Sequence, residues 1–165
     1  MHDWHDFFLA QAGAAGVLTG LVFVGVSINL QKIVSDPSSG LAGRAAEALI
    51  LLVAVLMASV LMLVPGQGLD VLGVEVLMVG LAAWGWIVAI QLQLLRRWGA
   101  MRADLRGPFV LRVALGQIAT LPLVMAGVTV LSVGLGGLYW LVAGTVFSIL
   151  AGLFEAWVLL VEINR

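Results

Sequence analysis

The sequence predicts an all-α integral membrane bundle of five transmembrane helices, with the amino terminus outside and the carboxyl terminus in the cytoplasm. Three observations carry this expectation. Of 165 residues, 62% are hydrophobic and only 10% are charged, and the mean hydropathy of +1.15 lies far above globular usage. Apolar runs, each long enough to supply the roughly 20 helical residues that cross a hydrocarbon core of about 30 Å, take up nearly the whole chain as a single transmembrane domain, residues 1–165. The eight Lys and Arg residues fall only in alternate connections or beside them, which is the pattern of cytoplasmic retention.

The first run, about Phe7 to Leu30, follows MHDWHDF, which carries two aspartates and no Lys or Arg. That is not the basic start of a secretory signal, so the run is expected to be mature structure. SDPSSG breaks the chain before the second run, Ala45 to Pro65, and PGQG turns it into the third, Val71 to Leu95. The third connection, RRWGAMRADLRGP, is the longest and most charged, and leads to the fourth run, Phe109 to Val133, where Pro122 removes a backbone bond and predicts a kink. GLGG then divides the remaining apolar stretch and opens the fifth run, Leu138 to Val161. None of the runs alternates in polarity as a spanning strand would, so all are expected to be helices.

Lys32 and Arg44 lie in the first connection, Arg96, Arg97, Arg102 and Arg106 in the third, Arg112 at the start of the fourth helix and Arg165 at the carboxyl end. Five crossings with the amino terminus outside place all of them in the cytoplasm. Trp4, Tyr139 and Trp140 fall at the outer boundary and Trp98 at the inner one, where amphipathic rings settle. Trp84 and Trp86 fall near mid-membrane, where they are expected to fill space or face lipid, each with an indole N–H to satisfy.

In lipid, close approach through small residues carries much of helix packing. Gly144, Ser148, Gly152 and Ala156 form such a ridge on the fifth helix, Ala12, Gly16 and Gly20 a similar row on the first, and Gly85 and Ala89 one leading to Gln93 on the third. Each row can seat a helix of the same chain or of a neighbouring copy, and several such faces on short helices suggest a homo-oligomer.

The polar residues within the runs are the candidate site. Glu155 lies about four residues, roughly 6 Å, to the cytoplasmic side of the middle of its helix. Facing lipid it would cost about 2.5 to 3.5 kcal/mol, so it requires a partner, a wet cavity or a proton. Equal chain distance from GLGG puts Gln117 at its depth, with Arg112 or Asn29 within reach. Glu155 is then either a buried interhelical contact or a titrating, cation-binding group on a pathway. Glu47, one turn from Arg44, suits a salt link within its own helix. Asp3, Asp6, Asp70 and Glu75, with Gln11 and Gln67 at comparable depth, give the outer side one sign of charge. An oligomer could gather these into a cation-attracting vestibule, although exclusion of Lys and Arg from outer segments produces the same picture. Asn29 and Gln31, with Gln91 and Gln93, sit at inner helix ends as caps or loop contacts.

His2 and His5 in HDWHD stand one helical turn apart among carboxylates and could hold zinc, nickel or copper, against the commoner outcome of a frayed terminus. Arg96, Arg97, Arg102 and Arg106 suit anionic lipid head groups at the cytoplasmic face rather than nucleic acid, since the topology already requires their charge there. With no cysteine there is no disulfide framework, and no pattern calls for a cofactor.

WHDFFLAQAGAAGVLTGLVFVGVSINL, an aromatic and acidic entry followed by a glycine-rich helix of the LTGLVFV...S.N type, resembles the opening of a group of small multi-spanning bacterial membrane proteins. The resemblance covers about residues 4–30 and marks Trp4, Asp6, Phe7, Gly20, Ser27 and Asn29 as typical positions. Some members carry an automatic label as modulators of a membrane-bound AAA protease, which implies an accessory role without catalytic residues.

No HExxH, GxSxG or P-loop pattern occurs, so enzyme chemistry is not expected. Two functions remain. The polar residues favour a homo-oligomer in the cytoplasmic membrane that conducts ions or small solutes past Glu155, Gln117, Glu75 or Gln11. The small-residue rows suit an accessory or scaffolding subunit. The first predicts polar side chains aimed at an axis, the second a bundle with those residues satisfied internally and a small-residue face open to lipid.

Overall fold

The computed structural model describes residues 2–35, 40–96 and 103–163. Nearly all of them are helical, and none lies in a strand. Helix α1 (His2–Ile28) passes into a short α2 (Leu30–Ser35), followed by α3 (Leu41–Met62), α4 (Leu69–Leu95), α5 (Ala103–Val133), a 3-10 turn (Gly134–Gly137) and α6 (Leu138–Ile163). Helices α1 and α5 begin ahead of their apolar runs, because hydropathy marks the hydrocarbon slab while helical hydrogen bonding continues into the polar boundary.

Four stretches of the described residues are long and apolar enough to cross a membrane: Trp4–Ile28, Leu41–Met62, Leu69–Leu95 and the 57-residue Arg106–Glu162, which contains both α5 and α6. By length and composition the protein is membrane-embedded. Its surface agrees, since Val17, Leu21, Met78, Trp86, Leu150 and Trp157 are all exposed on the outside of the bundle.

Helices α3, α4, α5 and α6 close into a ring in which each packs on the next and α6 returns to α3, while α1 lies outside it against α3. Leu51, Leu52 and Val55 of α3, Ile87 of α4, Leu123 of α5 and Leu141 of α6 fill the centre and are at most 1% exposed. The seam between α4 and α5 is built from glycines of both helices. A Cβ on Gly80 would stand 2.9 Å from the backbone of Leu123 and Val124, and one on Gly127 would stand 2.5 Å from the backbone of Leu77. With no side chain there, the two backbones meet directly, which is how helices gain contact in a solvent as apolar as their own surfaces.

The α5–α6 hairpin turns at Gly134, whose φ of 73° is the left-handed conformation open to glycine. Gly137 then rests on Thr129 and Val130, Gly144 on Leu123, and Ser148 donates to the Ala119 carbonyl at 3.1 Å. These contacts step evenly along two antiparallel helices and set which residues share a depth.

Candidate functional site

Continuing that series from Ser148 and Ala119 brings Glu155 level with Arg112. The sequence expectation had paired Glu155 with Gln117, five residues further along α5, by placing the fold centre inside GLGG. The 3-10 segment instead winds on the α6 side of the fold, which slides the register.

Five charged residues, three of them buried, form a cluster near the end of the bundle where α3 begins and α6 ends. Arg44 and Glu47 lie one turn apart on α3, Arg112 comes from α5, and Glu155 with Glu162, two turns on, from α6. Arg44 donates from Nη1 to Glu155 Oε2 at 2.8 Å and its Nε lies 3.6 Å from Glu162 Oε2. Arg112 donates from Nε to Glu47 Oε2 at 2.6 Å, and the same nitrogen is 4.0 Å from Glu155 Oε2. Glu47 and Glu155 are each 3% exposed and Arg112 is 5% exposed. Glu47 therefore pairs across helices with Arg112, where an Arg44 link within α3 was expected.

Gly43 makes room for the arginine, since a Cβ there would stand 3.2 Å from Arg112 Nη2. Arg112, Glu47 and Glu155 are all but removed from solvent and Arg44 is partly so, and the opposite charges offset the desolvation that each alone would suffer. Glu47 Oε1, Glu155 Oε1 and Arg112 Nη2 have no partner among the described residues, so the cluster keeps two acceptor atoms and one donor atom for further hydrogen bonds.

Gln117 belongs to a second polar group. Trp84 donates from Nε1 to Gln117 Oε1 at 2.8 Å, and Gln117 donates from Nε2 to Gln91 Oε1 at 2.9 Å. Gln91 lies against Gly116, where a Cβ would come within 2.5 Å of its Nε2. Trp84 thus satisfies its indole through an interhelical relay and is not merely space-filling, and Gln91 is a relay member and not a cap.

At the opposite end of the bundle, Gln67 donates from Nε2 to both oxygens of Glu75 at 3.2 and 3.1 Å. Trp4 meets Phe7, Phe8 and Tyr139 with ring centroids 5.9, 5.9 and 5.3 Å away, fastening the start of α1 to the start of α6. Gln11 is buried between the helices with neither amide atom partnered. Asn29 donates to its own helix, at the Gly25 carbonyl, 2.9 Å away.

The ridge Gly144, Ser148, Gly152 and Ala156 is buried against this chain's own helices, with Gly152 facing Ala48 and Leu52 of α3. Gly16 meets Leu56 of α3, whereas Gly20 and Gly85 have nothing within 4 Å. Arg96 and Arg106 are exposed, and Arg97 and Arg102 lie outside the described residues. The His5 ring lies 3.3 Å from Asp6, the side chain of His2 is outside the described set, and no group of three or more His, Cys, Asp or Glu among the described residues is arranged to hold a metal.

Sequence reasoning located Glu155 as the anomaly but missed Arg44 as its partner. Comparing depths would have helped find the match, since Arg44, Glu47, Arg112 and Glu155 all lie inside their apolar helices towards the same end of the bundle. No family model, curated protein or solved structure matches the chain.

Proposed function

We propose that the protein is a non-catalytic accessory subunit of the bacterial cytoplasmic membrane, whose α1 docks a transmembrane helix of another membrane protein and modulates it. The observation that carries this reading is the contrast between α1 and the rest of the bundle. Gly73 and Gly80 of α4, Gly116 and Gly127 of α5 and Gly144 and Gly152 of α6 are covered by this chain's own helices, with Gly85 and Gly107 open, but on α1 three glycines, Gly13, Gly20 and Gly25, have nothing within 4 Å. Gly13, Gly20 and Ser27 recur every seven residues and are all exposed, which suits close approach of a second helix in lipid. The resemblance of residues 4–30 to proteins labelled as protease modulators supports the same role. The ion-pathway expectation has less support, because Glu155 meets two arginines and Glu75 meets Gln67.

Five crossings with the amino terminus outside fit this reading. The fold-back at Gly134–Gly137 divides the longest apolar stretch, and the described Lys and Arg residues gather at one end of the bundle. Arg96 and Arg106 would meet anionic head groups there, near an apolar groove of about 450 Å³ between α4 and α5 whose wall includes Leu92, Leu95 and Phe109, and the sequence expectation adds Arg97 and Arg102 to the same role.

The chain has no cysteine, so single cysteines at Gly13 or Gly20 can be cross-linked in native membranes without background. The expected product is an adduct with a different chain. Adducts only at multiples of 17.4 kDa, or none, would overturn the accessory reading. Membrane-impermeant labelling of Gln67→Cys from outside and Arg97→Cys from inside checks the orientation.

A further inference from the structure

A cavity of about 620 Å³ opens at the end of the bundle opposite the arginines. Its volume lies within the range of sites that hold small organic ligands, roughly 300 to 1,000 Å³. The wall is mostly apolar, with Trp4 and Phe8 of α1, Leu72 of α4 and Leu138 of α6, and it is closed on one side by the turn that ends α3.

The polar character of this cavity is of one sign. Gln67, in the wall, commits its Nε2 to the Glu75 carboxylate and keeps a buried Oε1 with no donor. Glu75 brings a full negative charge directly behind it. Helix α3 terminates at the cavity, so the negative end of its dipole lies there. The Trp4 ring, stacked on the buried Phe8, adds the negative side of its quadrupole. The starts of α1, α4 and α6 also reach this end; Asp6 and Asp70 offset the positive ends of the first two, and at the third the Leu138 N–H is taken by the Leu135 carbonyl of the 3-10 turn. His5 is the remaining basic group at the wall, and its Nδ1 faces Asp6. The described Lys and Arg residues, Lys32, Arg44, Arg96, Arg106 and Arg112, lie towards the other end.

We infer that this cavity binds an amphipathic organic cation, a quaternary onium or protonated amine on an apolar body. Burial of the body against Leu63, Val64 and Pro65 supplies the hydrophobic contribution, while the charge sits at the Trp4 ring, in the field of Glu75 behind Gln67. The site lies away from the exposed face of α1 and does not depend on what that face binds.

Tetraphenylphosphonium and tetraphenylborate, alike in shape and opposite in charge, test this by equilibrium dialysis against the protein in neutral-lipid nanodiscs, with empty discs subtracted. The expected result is saturable binding of one phosphonium per chain, at least about tenfold tighter than the borate. Trp4→Leu and Glu75→Gln should each weaken it about fivefold, the scale of losing one cation–π or charge contact, and Arg96→Ala at the far end should leave it unchanged. Equal affinity for the borate, full phosphonium affinity in both weakened variants, or no saturable binding above empty discs would overturn the inference.

Discussion

Replacing Arg112 with methionine tests the charge cluster most directly. The side chain is 5% exposed and its Nε is 2.6 Å from Glu47 and 4.0 Å from Glu155. Arg44, Arg112, Glu47 and Glu155 sum to zero charge, and the substitution leaves the four at minus one. Unit charges about 4 Å apart interact by about 4 kcal/mol at an effective dielectric of about 20, and removing one partner of a buried pair costs about 3–5 kcal/mol. Arg112→Met is therefore expected to lower stability by about 3–5 kcal/mol, read from tryptophan fluorescence during reversible unfolding in mixed micelles. Glu47→Met in the same background removes the stranded carboxylate, and the double variant should recover to within about 1–2 kcal/mol of the parent, because a packed apolar pair replaces an ionic one at little net cost. A single-variant loss under about 1 kcal/mol, or a double variant no better than the sum of its singles, would refute the account.

Other parts of the bundle give separate expectations. Gly127→Ala forces a methyl against the backbone of Leu77 and should destabilise the same transition by about 1–3 kcal/mol, whereas Gly13→Ala, with nothing within 4 Å, should leave it unchanged or raise it by up to about 1 kcal/mol. Gln117→Leu breaks both links of the relay from Trp84 to Gln91 and should cost about 0.6–1.7 kcal/mol per hydrogen bond, with a shift in Trp84 emission that Gln117→Glu partly retains. Gln11→Leu removes a buried amide that has no partner, so stability should hold or rise by about 1–3 kcal/mol in the same assay.

Helical class, the apolar lengths and the need for Glu155 to find a partner could all be read from the sequence, because each depends on composition and depth alone. The identity of that partner could not. It turns on the five-residue register of the α5–α6 hairpin, which is set by how the 3-10 turn stacks and by Gly137 resting on Thr129 and Val130. The regular ridge on α6 was visible because its small residues repeat every four positions. The α4–α5 seam was not, since Gly73, Gly80, Gly116 and Gly127 interleave from two helices and neither helix alone shows a complete row. Glu47 was assigned to Arg44 because sequence proximity suggested it, while the shorter contact comes from a helix 65 positions away.

The balance of charge among Arg44, Arg112, Glu47 and Glu155 also bears on how the protein meets an energised membrane. A transmembrane voltage does work of about 2.3 kcal/mol per elementary charge per 100 mV on charge that moves across the field. If α3, α5 and α6 shift together, these four contribute no net charge to the movement, and Glu162 beside Arg44 adds a single negative charge at the end of α6. Substituting any one of the four would add or remove a whole charge, so the energy of the movement would then depend more steeply, or with opposite sign, on the voltage.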